Sequence, residues 1–284
     1  MKNSATYQQK ILKNKNGKFT SLTDELAIEE PLEIQLLFGP ANQRARKSIS
    51  VTMRTPGYDF DLAAGFLLTE GIIQSGADIQ KVAYAHSPDP EQFENTVVVV
   101  LHHTVEVDLN QLERHFYTSS SCGICGKASI DAITVKSIPK LLPATPKISA
   151  VLLHQLPNHL REVQAVFDKT GGLHAAALFD WNGKLISWRE DVGRHNAVDK
   201  LIGEQVLKNN LPLSESLILV SGRASFELIQ KSLTAGIPML AAVGAPSSLA
   251  VQLAEAHKMT LVGFLRNEQY NVYCGAERII KFTG

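Results

Sequence analysis

From residue 173 to residue 265, strand-like and helix-like segments alternate, and this alternation limits the possible folds of the chain more than any other feature. Strand patterns at 173–179 and 184–188 flank Asn182-Gly183, a pair suited to the positive-φ turn of a tight hairpin. A helix is predicted over 196–208 and a strand over 217–220. The next helix carries Phe226, Ile229 and Leu233 on one face and ends at Gly236. A strand at 239–243, a helix with Leu249, Leu253 and Ala256, and a strand at 260–265 complete the run. Crossover helices return the chain to the same end of a sheet, so such strands should run mostly parallel with both faces covered. The expectation is an α/β domain with an antiparallel hairpin at one side.

Upstream, the signals are local. Residues 32–36 and 47–53 alternate apolar and polar, as strands with one buried face do. Arg54-Thr55-Pro56-Gly57 reads as a turn. Residues 59–71 read as a helix, with acids in the first turn, apolar Leu62, Phe66 and Leu67, and a closing Gly71. Further strands are expected at 93–101 and 104–107, and a short helix or turn at 127–133. Pro139, Pro143 and Pro146 mark an extended linker. A helix carrying Leu160, Val163 and Phe167 is opened by Pro157 and closed by Gly171-Gly172. The expected organisation is a polar extension over 1–29 with room for an early strand and a small α+β domain over 30–117. A cysteine-bearing loop and linker over 118–147 and a larger α/β domain over 148–284 follow.

The 284 residues contain 28 Lys+Arg and 28 Asp+Glu. No global field therefore draws the chain to nucleic acid or an anionic membrane. The basic run Arg44-Ala45-Arg46-Lys47 reads as a solvated surface turn. The first residues lack the apolar stretch of a secretory signal, and no apolar run approaches the ~18 residues a membrane helix requires. Three cysteines are too few for a disulfide scaffold and favour a reducing compartment, so a cytoplasmic location is expected.

In open α/β sheets, ligands bind outside the carboxyl ends of the strands. Four such ends stand out. They lead into Arg189-Glu190-Asp191-Val192-Gly193-Arg194-His195-Asn196, Ser221-Gly222-Arg223-Ala224-Ser225, Gly244-Ala245-Pro246-Ser247-Ser248 and Arg266-Asn267-Glu268-Gln269. The second and third are small-residue turns that open onto helices. Free N–H groups and the helix dipole suit a phosphate there, although the same residues also serve as plain helix caps. Arg194, Arg223 and Arg266 each offer a guanidinium with bidentate geometry for phosphate oxygens. Together these features point to an anionic, nucleotide-like ligand. None has the glycine spacing of a dinucleotide fold or P-loop.

Cys122 and Cys125 lie in Ser119-Ser120-Ser121-Cys122-Gly123-Ile124-Cys125-Gly126-Lys127. The small, polar frame keeps the thiols accessible and lets the backbone approach a bulky ligand. Three chemistries remain open on these residues alone. The pair is half of a tetrahedral zinc set, with His102, His103 and His115 nearby but no second Cys-x-x-Cys. It has the spacing of a redox dithiol, in surroundings unlike a thioredoxin βαβ unit. It also suits a sulfur-carrying thiol, ionised with help from backbone N–H groups and Lys127.

The cysteine stretch resembles the FdhD/NarQ family of formate dehydrogenase accessory sulfurtransferases. So do the segment from Arg54-Thr55-Pro56-Gly57 through Glu70-Gly71-Ile72-Ile73 and the run from Arg189 through Asn196-Ala197-Val198-Asp199-Lys200. Ser221-Gly222-Arg223-Ala224-Ser225-Phe226-Glu227 and Ala245-Pro246-Ser247-Ser248-Leu249-Ala250 share the likeness, which spans residues 30–275 in order. The resemblance implies a sulfur carrier that moves persulfide sulfur from a cysteine desulfurase to the molybdenum cofactor, Mo-bis(molybdopterin guanine dinucleotide), for formate dehydrogenase. GDP or GMP would mimic that ligand, and no zinc is implied.

By the same resemblance Cys122 bears the persulfide and Cys125 is a secondary thiol. Phe264, Leu265, Arg266, Asn267, Glu268 and Gln269 form the cofactor segment. Arg194, His195, Ser221, Gly222, Arg223 and Ser225 join them on the strand-end geometry above. A homodimer and a cytidine-deaminase-like, three-layer larger domain with a mostly parallel mixed sheet are also implied. Zinc deaminases need His-x-Glu and Pro-Cys-x-x-Cys at their helix starts. The helix starts here carry neither, so deamination is not expected. A non-catalytic cofactor chaperone is the alternative reading.

Overall fold

The computed structural model describes residues 5–86, 94–108, 138–141, 146–266 and 268–281. Cys122, Cys125, Asn267 and the expected helix or turn at 127–133 lie outside these residues. The stretch expected as a polar extension forms a hairpin of β1 (Thr6–Lys15) and β2 (Lys18–Ala27). Asn16 and Gly17 both take positive φ at its tip, the conformation a two-residue hairpin turn requires. The hairpin carries no continuous apolar face, and so the residues alone gave little sign of it.

β3 (Glu30–Phe38), β4 (Ala45–Arg54), α1 (Asp59–Thr69), β5 (Ile79–Tyr84) and β6 (Thr96–Leu101) follow. Their strands form a sheet in the order β4-β3-β6-β5, with β3 and β6 parallel and the outer pairs antiparallel. Period-two burial is clear in β3, where Leu32, Ile34 and Leu36 are fully buried. The fourth strand is β5, whereas residues 104–107 form none. Arg44 is not a solvated turn residue. Its guanidinium donates to the carbonyls of Leu37, Gly39 and Leu101 at 3.2, 3.0 and 2.7 Å and ties the β3–β4 turn to the end of β6.

β7 (Ile148–Ser149) leads into α2 (Ala150–Val163) and α3 (Ala165–Thr170). The expected start at Pro157 is therefore corrected, because Pro157 lies inside α2. Ser149 caps the helix by accepting the Leu152 N–H at 3.2 Å, and buried Leu153, Leu156 and Leu160 hold it on the sheet. Then come β8 (His174–Asp180), β9 (Leu185–Asp191), α4 (Arg194–Leu207), β10 (Ser216–Val220), α5 (Phe226–Thr234) and β11 (Met239–Ala242). α6 (Ser248–Ala256), β12 (Thr260–Arg266), β13 (Gln269–Cys274) and β14 (Ile279–Ile280) complete the chain. The sheet order is β13-β12-β11-β10-β8-β9. β10, β11 and β12 are parallel neighbours, but β8–β9, β8–β10 and β12–β13 pair antiparallel. The sheet is mixed, and the expectation of mostly parallel pairing is corrected by β8 and by β13, which doubles back at the edge.

This sheet is buried on both faces. Ala177, Phe179, Leu217, Leu219 and Ala241 pack with α2, while Ala176, Leu178, Ile218, Val220 and Leu240 face a second core. That second core is continuous with the buried face of the four-stranded sheet through α1 and α4. The two helices cross backbone to backbone. A Cβ on Gly65 would collide with the Asp199 carbonyl, and one on Gly203 with the Asp61 carbonyl.

Buried charges tie the same junction together. Lys231 Nζ reaches Asp199 at 3.0 Å, Glu70 at 3.1 Å and Thr69 at 2.9 Å. Arg189 reaches Asp61 at 2.8 Å and Glu204 at 3.2 Å. Burial alone would lower the Lys231 pKa, but the Asp199 and Glu70 carboxylates outweigh it and raise it.

Candidate functional site

The carboxyl ends of the three parallel strands are joined side by side. Beyond Val220, the Gly222 carbonyl accepts the Gly244 N–H at 3.0 Å and the Ala224 N–H donates to Ala245 at 3.1 Å. The Ala224 carbonyl accepts from Ser247 at 3.0 Å, and the Gly244 carbonyl accepts from Phe264 at 3.1 Å. This approach demands glycine. A Cβ on Gly244 would sit 3.0 Å from the Gly222 carbonyl oxygen, and one on Gly263 would sit 2.8 Å from Pro246. Antiparallel β8 brings its amino end to the same place, where Ser221 Oγ accepts the Ala175 N–H at 2.8 Å and Gly222 borders His174 Nδ1.

Asp191, fully buried at the end of β9, organises the start of α4. One carboxylate oxygen accepts from the Gly193 N–H at 2.8 Å and from Asn196 at 3.1 Å. The other meets Lys200 Nζ at 2.7 Å and the Thr55 N–H at 3.2 Å. The turn before α1 is thereby fixed to the strand end, and the Arg194-His195 pair is placed beside β10.

The helix starts differ in how their orphan N–H groups are met. At α6 the Ser247 hydroxyl accepts the Ala250 N–H at 3.2 Å, so this turn works as an ordinary cap. At α4 the cap residue is Gly193, which has no side chain to offer, and at α5 the Ser225 hydroxyl accepts no cap hydrogen bond, while the Glu227 carboxylate takes its own N–H in the first turn. Ser225, the α5 cap residue, instead lies 3.4 Å from His195 Nε2. His195 Nε2 also approaches Glu227 at 3.8 Å, and this contact holds the Glu227 carboxyl down at about 2. Burial, with Arg194 and His195 close by, lowers the His174 pKa and favours the neutral ring. Arg194 Nε is buried with no hydrogen-bond partner among the described residues.

The structure thus gathers Arg194, His195, Ser221, Gly222 and Ser225 around the ends of β8, β9 and β10, with exposed Arg223 on the same turn. Phe264 joins through Gly244. It has φ of 54°, costly for a bulky residue, next to a bulge that separates exposed Phe264 from fully buried Leu265. Leu265 is part of the core under α2, so its side chain is unavailable to a ligand. Arg266, Glu268 and Gln269 are exposed at the β12–β13 turn. Among the described residues no hydrogen bond or ion pair engages the guanidinium of Arg223 or Arg266.

Sequence reasoning assigned no role to His174, Asp191 or Glu227. Asp191 and Glu227 lie within or beside quoted motifs, but His174 comes to the site only through the antiparallel placement of β8. Cys274, the remaining cysteine, donates to the Met259 carbonyl at 3.2 Å, and burial pushes its thiol up to about 11. It is a poor nucleophile at neutral pH. The arrangement can present free backbone N–H groups and several guanidiniums to an anion.

Comparison with known proteins gives consistent results. The model of the FdhD/NarQ family matches residues 27–280. A protein of Streptomyces coelicolor named sulfur carrier protein FdhD is 50% identical over 277 residues, covering 96% of this chain and 95% of its own. Its namesake from Sulfolobus acidocaldarius is 42% identical over 270 residues, covering 95% and 97%. A crystal structure from Desulfotalea psychrophila, of a protein provisionally named a formate dehydrogenase accessory protein, superposes with a TM-score of 0.74 at 24% identity. That alignment covers 98% of this chain and all of the other, and it shows the shared fold.

Proposed function

The chain belongs to the FdhD/NarQ family, and from that premise we propose that it is a sulfurtransferase serving formate dehydrogenase. Cys122 accepts sulfur from a cysteine desulfurase, and the strand ends hold Mo-bis(molybdopterin guanine dinucleotide), the substrate that receives it. The observation carrying this reading is the cluster of cations at the starts of α4 and α5, where the cap residues Gly193 and Ser225 make no cap hydrogen bond, Arg194 Nε is buried with no partner among the described residues and Arg223 is exposed on the turn. A multiply phosphorylated guanine dinucleotide is the kind of anion such groups recognise, and GDP or GMP is its simple mimic. The larger sheet and its helices are then a deaminase-like layering adapted to binding, in a cytoplasmic homodimer.

The chemistry balances on two thiols. The Cys122 thiolate attacks the terminal sulfur of the donor's persulfide, forming a new S–S bond while the donor leaves as a thiolate. Delivery of the terminal sulfur to the cofactor's metal as sulfide would require two electrons, which a second thiol can supply. Where Cys125 attacks the Cys122 sulfur, a disulfide closes and sulfide departs, so the two electrons that reduce the sulfur come from the two thiols.

Incubation with a cysteine desulfurase and cysteine should add one sulfur to Cys122 by mass spectrometry, and Cys122→Ala should abolish the adduct. No adduct on either cysteine, with the desulfurase demonstrably active, rejects the carrier. If Cys122→Ala still supports formate dehydrogenase activity while Arg266→Ala does not, the protein is a cofactor chaperone that transfers nothing.

A further inference from the structure

We infer that His174 belongs to the ligand-binding set at the strand ends. When a phosphate group settles among Arg194, His195 and Arg223, the His174 imidazole takes up a proton from solvent and meets the anion as an imidazolium. This rests on the anionic-ligand reading above and adds to it a residue and a proton.

His174 opens β8, and two hydrogen bonds at the next residue fix its place. The Ser221 N–H donates to the Ala175 carbonyl at 2.9 Å, and the Ala175 N–H donates to Ser221 Oγ at 2.8 Å. The His174 ring therefore borders Gly222, where a Cβ would sit 3.3 Å from Nδ1 and 3.6 Å from Cε1. Glycine leaves the imidazole room beside the backbone that leads to exposed Arg223. Across the sheet, the register sets His174 opposite Asp191, at the strand end that leads to Arg194. The ring is half-buried and makes no hydrogen bond or ion pair among the described residues.

Its charged neighbours are Arg194 and His195 from α4 and Asp191 from β9. Burial first, and then the two α4 residues, keep the ring neutral, with Asp191 opposing. Asp191 is already engaged by the Gly193 and Thr55 N–H groups, Asn196 and Lys200. Glu190, also on β9, turns to the Val166 and Phe167 N–H groups. His195 has its own partners in Ser225 and Glu227. His174 is thus a neutral imidazole among cations with no acceptor of its own. A phosphate supplies that acceptor and reverses the local field, and an anion within about 4–6 Å favours the charged ring. By linkage, affinity rises as pH falls through the value of the bound state and stops rising below the lower value of the free protein.

Calorimetric titration of the full chain with GDP near neutral pH, in buffers of differing ionisation enthalpy, should show proton uptake that His174→Gln reduces. The terminal phosphate of GDP titrates at about pH 6 with either protein, so the comparison isolates the ring. As pH is lowered from about 8 to about 6, the affinity advantage of the unaltered protein over His174→Gln should grow about fivefold or more. Guanosine, which lacks phosphate, should show no such uptake. In the unaltered protein the His174 ring resonance should titrate at higher pH with GDP than without, an arm that needs no variant. GDP that fails to bind the unaltered protein overturns the strand-end reading and this inference together. GDP that binds with equal proton uptake by both proteins, with the same pH profile for both, or with an unmoved His174 resonance overturns this inference alone. So does equal uptake with guanosine, or uptake that His195→Gln removes and His174→Gln leaves, since the proton would then sit on the other imidazole.

Discussion

Lys200 and Lys231, at the α1–α4 junction, and Arg223 and Arg266, at the strand ends, are cations used in opposite ways. Each junction lysine is almost fully buried and meets a carboxylate within 3.0 Å, with further oxygens around it. The two arginines are exposed and meet no such partner among the described residues. A cation matched inside the chain builds architecture, whereas one held exposed at a strand end is available to a ligand. Charge type alone does not separate the two uses. Burial and partnership do.

This comparison breaks most readily at the junction, where the effects should be largest. Lys231→Ala leaves Asp199 buried without its ammonium and should cost about 3–5 kcal/mol in urea unfolding. Gly203→Ala drives a methyl into the Asp61 carbonyl and should cost about 1–3 kcal/mol or more. A loss below about 0.5 kcal/mol for either would mean that the helices part easily and the junction is not a fixed frame.

At the strand ends the pattern should invert. Arg223→Ala and Arg266→Ala should each stay within about 0.5 kcal/mol of the unaltered stability, as surface changes do. Each should nevertheless weaken GDP binding by about tenfold or more in calorimetry, the loss expected for a charged hydrogen-bonding group. Equal affinity would make them solvated surface arginines.

The sequence showed the strand-end half of this contrast more plainly than the junction half. The parallel core β10–β11–β12 and its small-residue turns follow from apolar periodicity and from Ser and Gly at the turns, which are local signals. At the junction, Asp199 and Lys200 sit in a helix as charged residues usually placed in water, and partners 9 to 145 residues away hold them buried. Gly65 and Gly203 read as weak points of helices until their close crossing is seen. Pro157 reads as a helix start because proline suits a first helical turn, but the Ser149 cap and the buried Leu153, Leu156 and Leu160 stripe carry the helix through it. The β1–β2 hairpin has no buried face, so no periodicity announced it.

The smallest effect probes whether the strand ends form a shielded site or plain surface. His174 has its pKa lowered, first by burial and then by the positive charges of Arg194 and His195, with Asp191 opposing. The unfolded chain therefore takes up this proton near the ordinary value of about 6.5, and the folded chain only at lower pH. The group's contribution to stability is full above about 6.5 and is lost as pH falls toward the folded value. Urea unfolding at pH 7.5 and 5.5 should show a larger loss for the unaltered protein than for His174→Gln, with the difference small because the ring is only half-buried. Equal losses would mean that the ring is solvated, and the strand-end cations would then belong to open surface. A larger loss in the variant would mean that a carboxylate, with Asp191 the nearest candidate, governs the imidazole instead of the arginine beside it.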